Sequence, residues 1–91
     1  MTPAKILLVD DHQSMRGDLR SWLHGRPKFR VVGDACDANA AWLAVDRLDP
    51  DVVILDLELP DAIGMPIARR LRRNRPDIRV VILTKPTGCT S

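Results

Sequence analysis

The sequence is poor in aromatic residues and cysteine, and it has no long apolar run. Its 91 residues include two Trp, one Phe and no Tyr. Cys36 and Cys89 stand alone, without the paired spacing of a zinc site or the density of a disulfide scaffold, so we expect two reduced thiols. No stretch reaches the ~20 apolar residues of a membrane-spanning helix, and Met1 leads into a strand-like segment. These absences predict a soluble cytoplasmic protein without a membrane partner.

Positive charge is concentrated in one short part of a chain whose net charge is only +2. Ile67, Ala68 and Leu71 mark the buried side of a predicted helix there, which leaves the basic side chains on its solvated side. No aromatic residues interleave with them, as a nucleic-acid surface would require. We therefore expect no nucleic-acid binding by this chain alone. The basic residues are Arg69, Arg70, Arg72, Arg73, Arg75 and Arg79.

Strand-like and helix-like segments alternate along the whole chain. Strands are predicted over residues 5–10, 29–35, 52–56 and 78–84, and helices over residues 13–24, 38–48 and 65–74. Polar residues in the second strand are typical of a sheet edge. The order βαβαβαβ predicts one parallel sheet with right-handed crossovers and helices on both faces.

The helices are predicted from apolar stripes and from the residues that end them. In the first helix the stripe has helical spacing and comprises Met15, Leu19, Trp22 and Leu23. In the second it comprises Ala41, Ala44, Val45 and Leu48. Pro50 ends the second helix, because the residue before a proline leaves the helical region.

Acidic residues follow the two most apolar strands. The run from Val52 to Leu55 is too short for a buried helix and ends on Asp56, while the first strand ends on Asp10 and Asp11. The last strand ends on Thr84. Because the carboxyl ends of parallel strands line the crevice where ligands bind, we expect these side chains to gather there. Turn formation or helix capping could explain one such acid, but it explains acids at the ends of two separate strands less well.

Clustered carboxylates repel one another unless a cation is present. Oxygen ligands without His or Cys suit a hard ion such as Mg²⁺. A carboxylate can also act as a nucleophile and form an aspartyl phosphate, with a hydroxyl such as that of Thr84 binding a phosphoryl oxygen. His12 is better explained as an exposed residue at a helix start than as a metal ligand.

The motifs KILLVDDH, VVGDA, PDVVILDLELPDAIG and RVVILT together resemble the receiver domain of bacterial two-component response regulators. The similarity covers about residues 5–84 and is greatest to the subfamily with a LuxR-type output domain. The resemblance implies a flavodoxin-like, three-layer α/β fold with strand order 2-1-3-4 over the strands present.

The resemblance also implies a role for each acidic residue. Asp56 would accept phosphate from a sensor histidine kinase in a Mg²⁺-dependent reaction. Asp11 would coordinate the metal directly, Asp10 through water, and Glu58 through its backbone carbonyl. Thr84 would bind a phosphoryl oxygen. The longer protein would regulate transcription, and the chain itself would not be an enzyme.

The sequence departs from the family pattern after the fourth strand. A complete receiver continues with a fourth helix, a fifth strand and a fifth helix, so we interpret residues 1–84 as a truncated receiver-like domain and residues 85–91 as a short tail. The family's lysine at the end of the fifth strand has no positional equivalent; a substitute role for Lys85 is a weaker interpretation than a solvated side chain. We expect residues 79–84 to form an exposed apolar edge that pairs copies of the chain into a homodimer or larger oligomer.

Two other functions stay open on the sequence. In one, the missing elements impair phosphorylation, and the chain is a self-associating or partner-binding module. In the other, the chain is a phosphatase-type hydrolase with an aspartate nucleophile. The hydrolase is disfavoured because that class has Asp-x-Asp after its first strand, whereas Asp10 and Asp11 are adjacent.

Overall fold

The computed structural model describes residues 2–10, 13–56 and 64–83, with side chains for residues 2–10, 15–55 and 67–82. Strands and helices alternate through these ranges as predicted. β4 starts one residue later than expected, and Thr84 lies outside the described residues. The elements are β1 (Ala4–Val9), α1 (Gln13–His24), β2 (Phe29–Ala35), α2 (Ala38–Leu48), β3 (Val52–Asp56), α3 (Gly64–Asn74) and β4 (Arg79–Leu83).

The four described strands form one parallel sheet in the order β2-β1-β3-β4. This confirms the predicted order, and it places β2 at an edge as its polar residues indicated. The β1–β2 register slips once, from the pair Ile6–Val31 to the pair Leu7–Gly33, so that Val32 is the extra residue of a bulge. The pairing of β1 with β3 is regular and runs to Val9 and Leu55.

Two apolar clusters cover the two faces of the sheet. Successive β1 side chains point to opposite faces, so Ile6 and Leu8 pack with α1, while Leu7 and Val9 pack with α2 and α3. All four are buried. The three-layer arrangement is thereby confirmed, with each fully buried leucine contributing roughly 2 kcal/mol of hydrophobic stabilisation.

β3 is buried more completely on one face than on the other. Val53 and Leu55 are fully buried against α2 and α3, whereas Val52 and Ile54 are partly buried on the α1 side. The apolar run therefore forms a central strand, as predicted.

The apolar stripe of α1 is narrower than predicted. Leu23 is buried and Leu19 packs beside it, but Trp22 is 58% exposed, so its assignment to the buried stripe is wrong. Trp22 lies about 80° around the helix from the direction midway between Leu19 and Leu23. Its ring lies instead under the guanidinium of Arg26, 3.9 Å from the ring centroid, where a cation–π contact covers one face.

Acidic residues cap both ends of α2. The Asp37 carboxylate accepts a 2.7 Å hydrogen bond from the Ala40 N–H at the amino end. Asp49 ends the helix in the left-handed region, with φ 48° and ψ 61°, and its N–H donates to the Val45 carbonyl. The end predicted before Pro50 is thus confirmed.

The basic segment has its predicted orientation on α3. Ile67, Ala68 and Leu71 are buried, and the α3 arginines with described side chains are exposed. Arg75 differs, because it bonds to the Asp49 carboxylate and lies 3.6 Å from Asp77. The hydrogen bond to Asp49 is the main reason that the pKa of Arg75 is raised above its usual range, and the charge of Asp77 adds to the effect.

Three smaller features complete the fold. Trp42 packs half-buried beside the main cluster, with the Arg70 guanidinium 4.4 Å from its ring centroid. The Cys36 thiol is free and exposed, and Cys89 lies outside the described residues. No helix within residues 13–24, 38–48 or 64–74 is long and apolar enough to cross a membrane.

Candidate functional site

The carboxyl edge of the sheet brings together the main chains of Asp10 and Asp56. Val9 and Leu55 form the last β1–β3 pair, and the two aspartates follow it on neighbouring strands. Adjacent strands are about 4.8 Å apart. The structure therefore confirms that the apolar strands carry these two acids to one edge of the sheet.

Asp10 is a buried carboxylate. It is 2% exposed and is the one charged side chain in the buried class among residues 2–10, 15–55 and 67–82. Its backbone N–H donates a 3.0 Å hydrogen bond to the Ala35 carbonyl, which joins the end of β1 to the end of β2. Because carboxylates in buried positions are stabilised by hydrogen bonds or by nearby positive charge, this position suits a cation.

Arg16 on α1 reaches back to the end of β1. Its Nη1 donates a 2.6 Å hydrogen bond to the Asp10 backbone carbonyl, and its Nε lies 3.9 Å from Asp34 Oδ2 on β2. Arg20 donates a 2.7 Å hydrogen bond to the same Asp34 oxygen. A chain of polar contacts thus runs from the edge strand β2, through α1, to the Asp10 main chain at the end of β1.

The other predicted site residues are only partly described. The Asp56 backbone belongs to β3, and its side chain lies outside the described side chains. Asp11, Glu58 and Thr84 lie outside the described residues altogether, as does Lys85. β4 ends at Leu83, which pairs with Asp56.

A magnesium ion fits the part of the site that the structure describes. The Asp10 carboxylate offers oxygen donors, which hard cations prefer, and it is buried beside the strand that carries Asp56. Within the described side chains, no group of three His, Cys, Asp or Glu residues forms a complete cation site.

Arg16 and Asp34 contact the site but are not among the residues predicted for it. Arg16 follows the stripe residue Met15, so its pattern is that of an ordinary polar helix residue. The sequence pattern marks Asp34 only as one of the polar residues that are typical of an edge strand. Their contact with the site depends on the β1–β2 pairing, in which Leu8 lies opposite Asp34. The spacing of apolar residues within one helix or strand does not reveal such a tertiary contact.

Comparison with known proteins identifies the family. The family model of the response regulator receiver domain matches residues 6–89. The DNA-binding transcriptional activator DevR/DosR of Mycobacterium tuberculosis is 41% identical over 84 residues, which are 92% of this chain and 39% of that protein. A protein-glutamate methylesterase/protein-glutamine glutaminase of Rhizobium etli is 39% identical over 90% of this chain and 24% of that protein. The chain thus spans about a quarter to two fifths of these relatives.

Solved structures give the same result. RcsB of Salmonella typhimurium superposes with a TM-score of 0.86 and 26% identity, over 92% of this chain and 44% of that one. A LuxR-family two-component response regulator from Aurantimonas superposes with a TM-score of 0.83 and 36% identity, over 90% of this chain and 59% of that one. This chain belongs to the response regulator receiver domain family, whose members serve in two-component signalling and include transcriptional regulators.

Proposed function

We propose that Asp56 is the phosphoacceptor of this receiver and that a sensor histidine kinase phosphorylates it in a Mg²⁺-dependent reaction. The observation that carries the proposal is the pairing of Val9 with Leu55, after which the buried acid Asp10 and Asp56 follow on adjacent strands. Nucleophile and metal ligands have to converge within a few ångströms for phosphoryl transfer.

In the proposed reaction an oxygen of the Asp56 carboxylate attacks the phosphorus of a phosphohistidine. The new O–P bond forms as the P–N bond breaks, and the imidazole leaves with the electron pair of that bond and takes up a proton. The product is an acyl phosphate on Asp56. Thr84 would donate its hydroxyl hydrogen bond to a phosphoryl oxygen.

Asp10, Asp11, Asp56 and the Glu58 carbonyl would hold the Mg²⁺ ion. When bound, the ion neutralises negative charge on the phosphoryl group and on the acids around it. Asp10 contributes a carboxylate already removed from water, so less solvent has to be displaced when the site fills.

The longer protein would act in the cytoplasm and regulate transcription. DevR/DosR and the Escherichia coli nitrate/nitrite response regulator protein NarP, 37% identical over 91% of this chain, support a transcriptional output. The chain spans 39% of each of these two proteins. No catalytic turnover is expected of the chain itself.

Self-association is a second proposal, supported by β4. Val80 and Ile82 pack against the core, but Val81 is 40% exposed on a strand whose neighbour in the described sheet is β3. β4 thus lies at an edge of the described sheet and also carries exposed apolar surface on one face, and both features favour association between copies. One solved RcsB structure contains two RcsB dimers bound to DNA. A Val81→Lys variant should sediment as a smaller species than the parent at micromolar concentration; a parent that is already monomeric would contradict this proposal.

Incubation with acetyl phosphate tests the main proposal. Intact mass spectrometry should show one phosphoryl adduct that requires Mg²⁺ and is lost in Asp56→Asn. Asp46→Asn, which alters an exposed aspartate on α2, serves as the matched control and should retain the adduct. A folded protein that takes up no phosphate with Mg²⁺ present would instead support an interaction module whose phosphorylation is impaired.

A further inference from the structure

We infer that Arg16 is a positioning residue that sets the Mg²⁺ affinity of the site by holding the backbone carbonyl of Asp10, one of the acids proposed to hold the ion. The inference rests on the proposed function, because it assumes that these acids bind the ion. Arg16 itself would touch neither the ion nor the phosphoryl group.

The contact is directed at the backbone of the acidic pair. Arg16 Nη1 donates to the Asp10 carbonyl oxygen at 2.6 Å, a short distance for an N–H···O bond. That oxygen belongs to the planar peptide group that joins Asp10 to Asp11. Fixing its direction therefore restricts the rotation that decides where the chain leads after Asp10.

Arg16 is itself held in place. Its side chain is 18% exposed, and its Nε lies 3.9 Å from Asp34 Oδ2 on the edge strand. The Asp10 N–H is bonded to the Ala35 carbonyl, the next residue of that strand. The two polar groups of the Asp10 main chain are thus both tied, one to β2 directly and the other to α1 through Arg16.

The charge of Arg16 and its contact with the Asp10 carbonyl predict opposite changes in Mg²⁺ affinity when the arginine is replaced. A guanidinium beside a cation site repels the cation, so an effect of charge alone would make Mg²⁺ bind more tightly once the arginine is neutralised. Loss of the carbonyl contact would leave the acidic pair less ordered and weaken Mg²⁺ binding. Residues that orient metal ligands typically change affinity by tenfold or more when replaced.

Arg20 provides a matched control. It lies one helical turn after Arg16 and donates to the same Asp34 oxygen at 2.7 Å, with a more exposed side chain, 48% against 18%. Its hydrogen bond goes to Asp34, whereas that of Arg16 goes to the Asp10 carbonyl. Arg20→Gln therefore removes the same charge and a bond to the same carboxylate while leaving the Asp10 carbonyl bond in place.

The experiment is a Mg²⁺ titration followed by ¹H–¹⁵N NMR, with the phosphoryl adduct measured separately. Amide shifts of residues 8–10 and 52–55 report the dissociation constant, and the Arg16 Nε–H resonance reports the state of the contact. We expect Arg16→Gln to weaken Mg²⁺ binding about tenfold, Arg16→Lys to recover part of the loss, and Arg20→Gln to bind as the parent does. Asp34→Asn, which leaves the α1 sequence intact, should weaken binding in the same direction and serves if Arg16→Gln does not fold.

The outcomes separate this inference from the proposed function. Unchanged or tighter Mg²⁺ binding in folded Arg16→Gln, or equal weakening in Arg20→Gln, would overturn the role of Arg16 while the parent still takes up phosphate. If the parent neither binds Mg²⁺ nor forms an adduct, the proposed function fails and the positioning role fails with it.

Discussion

The side chain of Leu48 lies over Gly33, so a Cβ at position 33 would come within 2.6 Å of Leu48 Cδ1. Gly33 is the residue at which β2 resumes its pairing with β1 after the bulge. The absent side chain lets the end of α2 approach the edge strand closely.

Gly33→Ala should lower the free energy of unfolding by about 1 kcal/mol, measured by urea denaturation. The clashing atom is the end of a flexible side chain, which can move at moderate cost. In a Leu48→Ala background the same substitution should cost much less, because the clash is gone. Equal costs in the two backgrounds would show that Leu48 is not the cause.

Gly17→Ala should have the opposite effect. Gly17 lies inside α1, and no atom comes within 4 Å of a Cβ built there. Alanine is better than glycine in a helix interior by roughly 0.5–1 kcal/mol, so the unfolding free energy should rise by about that amount.

Gly25→Ala is the control for Gly17→Ala. Gly25 has equally open surroundings, but it lies after the end of α1. Its substitution should change stability by less than about 0.5 kcal/mol. A loss of stability in Gly17→Ala would mean that α1 needs the glycine for a reason other than space.

The left-handed backbone of Asp49 predicts a difference between two substitutions. Asp49→Ala and Asp49→Gly both remove the carboxylate that bonds to Arg75, so the lost contact is the same. They differ because alanine is strained at φ 48°, whereas glycine is not. The alanine variant should therefore be less stable than the glycine variant by about 1 kcal/mol in thermal or urea unfolding. Equal stabilities would show that the backbone relaxes when the carboxylate is removed.

The order of the elements and the two-sided core could be predicted from the sequence because they depend on periodicity. Strand-length apolar runs, helical stripes and Pro50 are local patterns, and the structure has the elements where those patterns lie. The parallel direction of the strands follows from the alternation of the two kinds of element, whereas the strand order 2-1-3-4 is implied by the resemblance to receiver domains. The position of Trp22 is predicted wrongly because helical spacing defines a broad sector of the helix surface, and packing on the face of the sheet buries only part of that sector.

The acids of the candidate site could be predicted from the sequence, but the residues that contact their main chain could not. Asp10 and Asp56 end apolar strands, and general rules of α/β sheets place such residues at one edge. Arg16 and Asp34 reach that edge through tertiary contacts between α1 and β2. The spacing of residues along one helix or strand does not encode a contact between two of them.

The central claim is that Asp56 carries the phosphoryl group, and chemical mapping tests it most directly. After incubation with acetyl phosphate and Mg²⁺, borohydride reduction converts a phosphorylated aspartate to homoserine, which tandem mass spectrometry locates in the sequence. We predict homoserine at position 56 alone, and none in a sample prepared without Mg²⁺. Homoserine at position 10 or 11, or at 56 to the same extent without metal, would contradict the assignment of nucleophile and metal ligands.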